Sequence, residues 1–126
     1  MSTMVSTFDR TPYGLRMTFK GGTAQDGVKA FMEQGGTHFA QLQPAWRLVV
    51  DLREAPMMSQ DDFARMAGFM GELASPPARI ATIVNSAIFA MQLRRLSKSI
   101  GMAEIMRVIE AEPGPAGMQQ AEAFVA

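Results

Sequence analysis

The run Trp46-Arg47-Leu48-Val49-Val50-Asp51-Leu52 constrains the fold more than any other stretch. Leu48, Val49, Val50 and Leu52 leave no polar face, so neither side of a strand here can meet water. A strand covered on both faces by helices has this composition, and the β-branched Val49 and Val50 suit a pleated backbone. The stretch is therefore predicted to be the central strand of an α/β sheet. Asp51 falls near its C-terminal end, where open α/β sheets present polar groups to ligands. A short Asp side chain at that place also satisfies nearby loop amides. Pro56 stops the chain from continuing as strand or helix.

The remaining elements can be read around that strand. Met4 to Phe8 is a first strand or a tail. Tyr13, Leu15, Met17 and Phe19 alternate with Gly14, Arg16 and Thr18, a period of two that predicts a half-buried strand near the sheet edge. Gly21-Gly22 turns the chain, and Thr23 caps a helix running to about Leu42. Val28, Phe31, Met32, Phe39 and Leu42 form its apolar stripe, which Gly35-Gly36 kinks or splits. His38 is expected at its surface or boundary.

Ser59 caps the next helix, with Asp61 and Asp62 in its first turn, where the helix dipole favours acids. Its buried face is predicted as Phe63, Met66, Ala67, Met70 and Leu73, and Ser75-Pro76-Pro77 ends it. Arg79 to Val84 is a second buried strand. Asn85-Ser86 opens a third helix, with Ile88, Met91, Leu96 and Ile100 as its stripe and Gly101 as its stop. Glu104 to Ile109 is the last strand, Pro113-Gly114-Pro115 a loop, and Met118 to Val125 a closing helix. Strands alternating with helices over residues 1–126 predict one domain built on a mostly parallel sheet with right-handed crossovers.

Composition excludes several classes of function. Twelve Lys and Arg balance twelve Asp and Glu, which argues against a general nucleic-acid surface. Absence of cysteine removes disulfides, thiol chemistry and cysteine-ligated metal. No apolar run approaches the ~20 residues of a membrane span, and no secretory signal is visible, so a cytoplasmic protein is expected. With one histidine, no cysteine and no recognisable nucleophile–base pair, an enzyme is not expected, nor is a cofactor. Asp51, Glu54, Asp61 and Asp62 could gather at one sheet edge, but their spacing fits no cation-loop motif, so no metal site is expected.

The span from Tyr13 to Val125 resembles the SpoIIAA-like, or STAS-like, domains. The resemblance rests on an edge strand and glycine turn followed by a helix, and on the strand ending Val49-Val50-Asp51-Leu52-Arg53. It continues through the strand Ile80-Ala81-Thr82-Ile83-Val84, a helix with Met91 and Arg94-Arg95, Gly101 before the final strand, and a terminal helix. It implies a small non-catalytic regulatory or protein-binding domain. Some relatives bind lipids or other apolar ligands, and bacterial antagonists of the family carry a phosphorylatable serine where the helix after the central strand begins. Ser59 lies near that place, but no glycine follows and Asp61-Asp62 would repel a phosphate. Ser59 is thus read as a plain N-cap, with phosphorylation as the alternative.

The candidate partner surface comprises Asp51, Arg53, Met57, Met58 and Ser59 together with Met91, Arg94 and Arg95. The last two cations suit an acidic partner or simply form a solvated face. Two occupants are expected: an unknown protein partner, which includes a second copy in a homodimer, or a small apolar ligand. The second requires a pocket between helices lined by Met57, Met58, Phe69 and Met91.

Overall fold

The computed structural model describes residues 4–126. Five strands form one sheet in the order β1-β2-β3-β4-β5: β1 Val5–Thr11, β2 Gly14–Lys20, β3 Arg47–Glu54, β4 Arg79–Val84 and β5 Met106–Glu110. β1 is antiparallel to β2, and the other neighbours are parallel. The sheet is therefore mixed but mostly parallel, in an α/β protein.

β1 and β2 form a hairpin whose turn is Pro12-Tyr13, so Tyr13 lies outside the strand the alternation assigned it to. The turn demands glycine next. Gly14 has φ 148°, and a Cβ on it would sit 2.3 Å from the carbonyl oxygen of Arg47. Leu15, Met17 and Phe19 then point inward at 0%, 0% and 1% exposure, as their period of two requires.

Thr23 starts α1, Ala24–Ala30, with a capping box in which its hydroxyl accepts from the Asp26 amide and the Asp26 carboxylate accepts from the Thr23 amide. The helix passes through a π-helical turn, Phe31–Gly35, into α2, Gly36–Phe39. The disturbance falls at the glycine pair. These glycines also act as seats for aromatic rings: a Cβ on Gly35 would lie 3.2 Å from Phe39, and one on Gly36 would lie 3.0 Å from Phe69. His38 is half-buried and stacks on Phe8 at 4.9 Å.

β3 is buried from Leu48 to Leu52. Leu48, Val50 and Leu52 face the main core, which they share with α1, α2, α3 (Gln60–Gly71) and α4 (Ala87–Ser99). Val49 faces the other way, with Ala81, Ile83 and Ile109, against α5, Pro115–Val125. Burial on both faces is why its sequence does not alternate.

Two further boundaries and two helix faces differ from the sequence reading. β5 begins at Met106 because residues 103–105 turn. α5 begins three residues early, since Pro115 occupies the first helical turn, where its missing N–H costs nothing. Ala67 on α3 and Leu73 just beyond its end are only half-buried, leaving Phe63, Met66 and Met70 as the inner stripe. On α4 the buried residues are Phe89, Ala90, Leu93 and Ser97, with Leu96 beside them, whereas Ile88, Met91 and Ile100 are exposed. The 89/90–93–96/97 spacing follows one helical face; Ile88 and Met91 belong to the opposite one. No helix among the described residues is long and apolar enough to cross a membrane.

Candidate functional site at the carboxyl edge of the sheet

β3 and β4 run parallel, so α3 and α4 both begin at the carboxyl edge of the sheet. Their first turns touch: the rings of Phe63 and Phe89 lie 5.3 Å apart. Each start is capped by a serine. The Ser59 hydroxyl accepts from the Asp62 amide at 3.1 Å, and the Asp62 carboxylate accepts from the Ser59 amide at 3.0 Å, a full capping box. These bonds to Ser59 hold the Asp62 carboxyl below its ordinary value, against a smaller opposing effect of burial. Ser86 caps α4 through its hydroxyl and the Phe89 amide.

The structure separates the sequence candidates into two groups. Asp51 and Arg53 are occupied with each other. The carboxylate accepts from Arg53 Nε at 3.0 Å, from Nη2 at 2.9 Å and from the Arg53 amide at 3.1 Å. Both side chains are nearly buried, at 12% and 10% exposure. Arg53 Nη1 donates onward to the carbonyls of Glu112 and Gly114. The pair therefore ties β3 to the loop that leads into α5. Met58 is also internal, at 2% exposure, and Phe69 packs between Phe31 and Phe39.

The second group is at the surface. Met57 is 52% exposed in the loop before Ser59, and Met91 is 46% exposed on α4. Ile88, one turn before Met91, is the most exposed large apolar residue among those described, at 61%. The sequence reading assigned Ile88 to the core. Counting the helical phase from the Ser86 cap, with Phe89, Ala90 and Leu93 inward, would have turned it outward. Ser59 is exposed beside Met57. Arg95 is exposed and makes no salt bridge among the described residues, whereas Arg94 donates to the Val108 carbonyl of β5 at 3.1 Å.

An apolar cavity of about 60 Å³ does lie between α3 and α4, but its walls are not those expected. Met66, Met70, Leu93, Leu96, Met102 and Met106 line it, along with β3 and β4 side chains, and Met57, Met58, Phe69 and Met91 do not. Among the described residues no three His, Cys, Asp or Glu side chains are placed to hold a metal ion. Comparison with known proteins finds no family model that matches the chain and no matching curated protein.

Proposed function

We propose that this protein is a non-enzymatic, STAS-like regulatory or protein-interaction module. The order of elements around a mostly parallel sheet supports the family reading. The observation that carries the functional reading is the apolar group Met57, Ile88 and Met91, exposed where two capped helices start side by side. Water-facing residues of this kind at one edge suit a partner that buries them, and Arg95 adds a cation for an acidic rim. Ser59 is accessible in the same surface. A phosphate there would gain from the helix start but meet Asp61 and Asp62, so the modification would act by weakening the capping box rather than by adding to it.

The alternative occupant, a small apolar ligand, draws support from the cavity between α3 and α4. Its volume of about 60 Å³ is well short of the ~300–1,000 Å³ of ordinary ligand pockets. Methionines in its wall could yield to a ligand, but α3 and α4 would have to part.

A photo-crosslinking residue at position 57 or 91, used in extract of the source cells, tests the proposal. The same protein should be captured from both positions, and Ile88→Asp or Arg95→Glu should abolish the capture. A crosslinker at Ala64, on the exposed face of α3, serves as control. Equal labelling from Ala64 would sink the surface. A native mass spectrum carrying an extra small mass lost on denaturation would favour the ligand carrier, and a doubled mass would make the partner a second copy.

A further inference from the structure

The chain has twelve methionines and no cysteine, so its oxidisable sulfurs are all thioethers. Among the described residues Met57 and Met91 are the exposed methionines, and the rest are half-buried or buried. Both fall at the carboxyl edge of the sheet, in the apolar group they form with Ile88. We propose that Met57 and Met91 are a reversible oxidation site, at which a peroxide converts the two thioethers to sulfoxides and so switches off docking. The switching rests on the docking surface proposed above; the selectivity of the oxidation does not.

The chemistry needs no partner group from the protein. A thioether sulfur attacks one oxygen of hydrogen peroxide through its lone pair. The S–O bond forms as the O–O bond breaks, the sulfur gives up two electrons, and the second oxygen leaves as water. Peroxide arrives from solvent, so a methionine sealed in the core reacts only when the fold opens around it. Met57 and Met58 show the contrast between neighbours: Met57 is exposed, whereas Met58 is 2% exposed and belongs to the main core. Met66 and Met70, on the inner face of α3, are shielded in the same way.

The product is polar and chiral where the thioether was apolar and flexible. On the free protein the sulfoxide oxygen stays in water and leaves the fold undisturbed. Beneath a docked partner the same oxygen is taken out of water with no donor arranged for it. Oxidation at these two positions therefore acts on binding and spares stability. The partner in turn covers both sulfurs, so it and the oxidant exclude each other. Methionine sulfoxide reductases, one for each sulfur epimer, restore the thioether with a dithiol that removes the oxygen as water, and this makes the site reversible.

The intact folded protein is treated with hydrogen peroxide, freed of it by gel filtration and mapped by fragment mass spectrometry. Met57 and Met91 should each gain one oxygen at least about tenfold faster than Met58, Met66 and Met70, with circular dichroism unchanged. Docking is then read with a photo-crosslinking residue at Ala87, exposed in the first turn of α4, in gel-filtered extract of the source cells, which lacks small reductants. Capture should fall by about tenfold or more, the effect of burying an unpaired acceptor, and return after treatment with both reductases and dithiothreitol. Met57→Leu combined with Met91→Leu keeps the apolar surface without its sulfurs, so its capture should survive peroxide. Equal oxidation of Met57, Met58, Met66, Met70 and Met91 overturns the site whether or not a partner docks. Capture that peroxide leaves intact, or that the double leucine variant loses to peroxide as the parent does, overturns the switch and leaves the docking surface standing. No capture from untreated protein removes the docking surface and the switch with it.

Discussion

Asp51→Asn tests whether the buried ion pair or the hydrophobic strand around it holds the carboxyl edge together. The amide is isosteric with the carboxylate. Its oxygen can keep the bonds from the Arg53 amide and Nε, but its NH₂ faces Arg53 Nη2, which now donates at 2.9 Å to a carboxylate oxygen. One charge-assisted bond becomes a donor–donor contact, and a guanidinium 10% exposed loses its counter-charge. Breaking a buried pair by removing one partner costs about 3–5 kcal/mol, and the two surviving bonds place Asp51→Asn near 3. Against a urea dependence of about 2 kcal/mol per molar, the unfolding midpoint should fall by about 1.5 M. Arg53→Met should cost about 1–2 kcal/mol more, because it also releases the carbonyls of Glu112 and Gly114, which are exposed and can turn to water. The double variant Asp51→Val with Arg53→Met should be more stable than Arg53→Met alone, since no charge is left unpaired. Equilibrium urea unfolding followed by circular dichroism measures all of these. An Asp51→Asn protein within ~1 kcal/mol of the parent, or a double variant no more stable than Arg53→Met alone, would refute the reasoning.

Three other perturbations have defined outcomes. Tyr13 is the only tyrosine, and burial, reinforced by its bond to Glu122 and that group's charge, pushes its hydroxyl up to about 12. Its absorbance at 295 nm should therefore titrate well above pH 10 while the fold persists, and Glu122→Gln should lower the midpoint; an ordinary midpoint near 10 in folded protein would contradict the contact. Because the folded value is the higher one, this group's contribution to stability is whole below pH 10 and is lost as pH rises from 10 toward 12. Asp62 has the opposite sign: its depressed value makes the ionised capping box stabilising above about pH 4, with the benefit lost as pH falls through the folded value. Asp62→Asn should thus be less stable than the parent at pH 7, and the two should converge in acid; a constant gap in urea midpoints down to pH 2 would rule this out. Gly14→Ala combines a φ of 148° with a Cβ 2.3 Å from the Arg47 carbonyl oxygen, so it should cost at least ~3 kcal/mol or abolish folding, and a thermal midpoint near the parent's would show that the hairpin can shift.

The fold was legible in the chain where one physical constraint acted alone. The Leu48–Leu52 run, the alternation from Leu15 to Phe19 and the Thr23 and Ser59 caps all read directly into structure, because burial on two faces, burial on one face and unpaired helix amides each leave a distinct pattern. The phase of α4 was not legible because Ile88, Met91, Leu96 and Ile100 are all apolar and approximate a stripe; only their register against Ser86 distinguishes inside from outside. The two ends of the sheet were legible unequally as well. Met57 and Met91 could be nominated from their types and neighbours, but no local sequence pattern marks the positive φ at Ala45 or the unpaired Arg47 Nε.

The Asp51–Arg53 pair also bears on where this fold can do chemistry. In an open α/β sheet the carboxyl edge offers a crevice in which a strand-end carboxylate meets ligands. Here Arg53 occupies that carboxylate and, through Glu112 and Gly114, fastens the approach to α5 beside the end of β3. A bound substrate would have to displace an ion pair that is nearly dry and already bidentate, at a cost of several kcal/mol before any contact of its own. The strand-end carboxylate is thereby engaged by the fold's own side chains. That edge still exposes apolar side chains, Met57, Ile88 and Met91, beside polar ones such as Ser59 and Asp61, and it is the apolar ones that the proposed partner would bury.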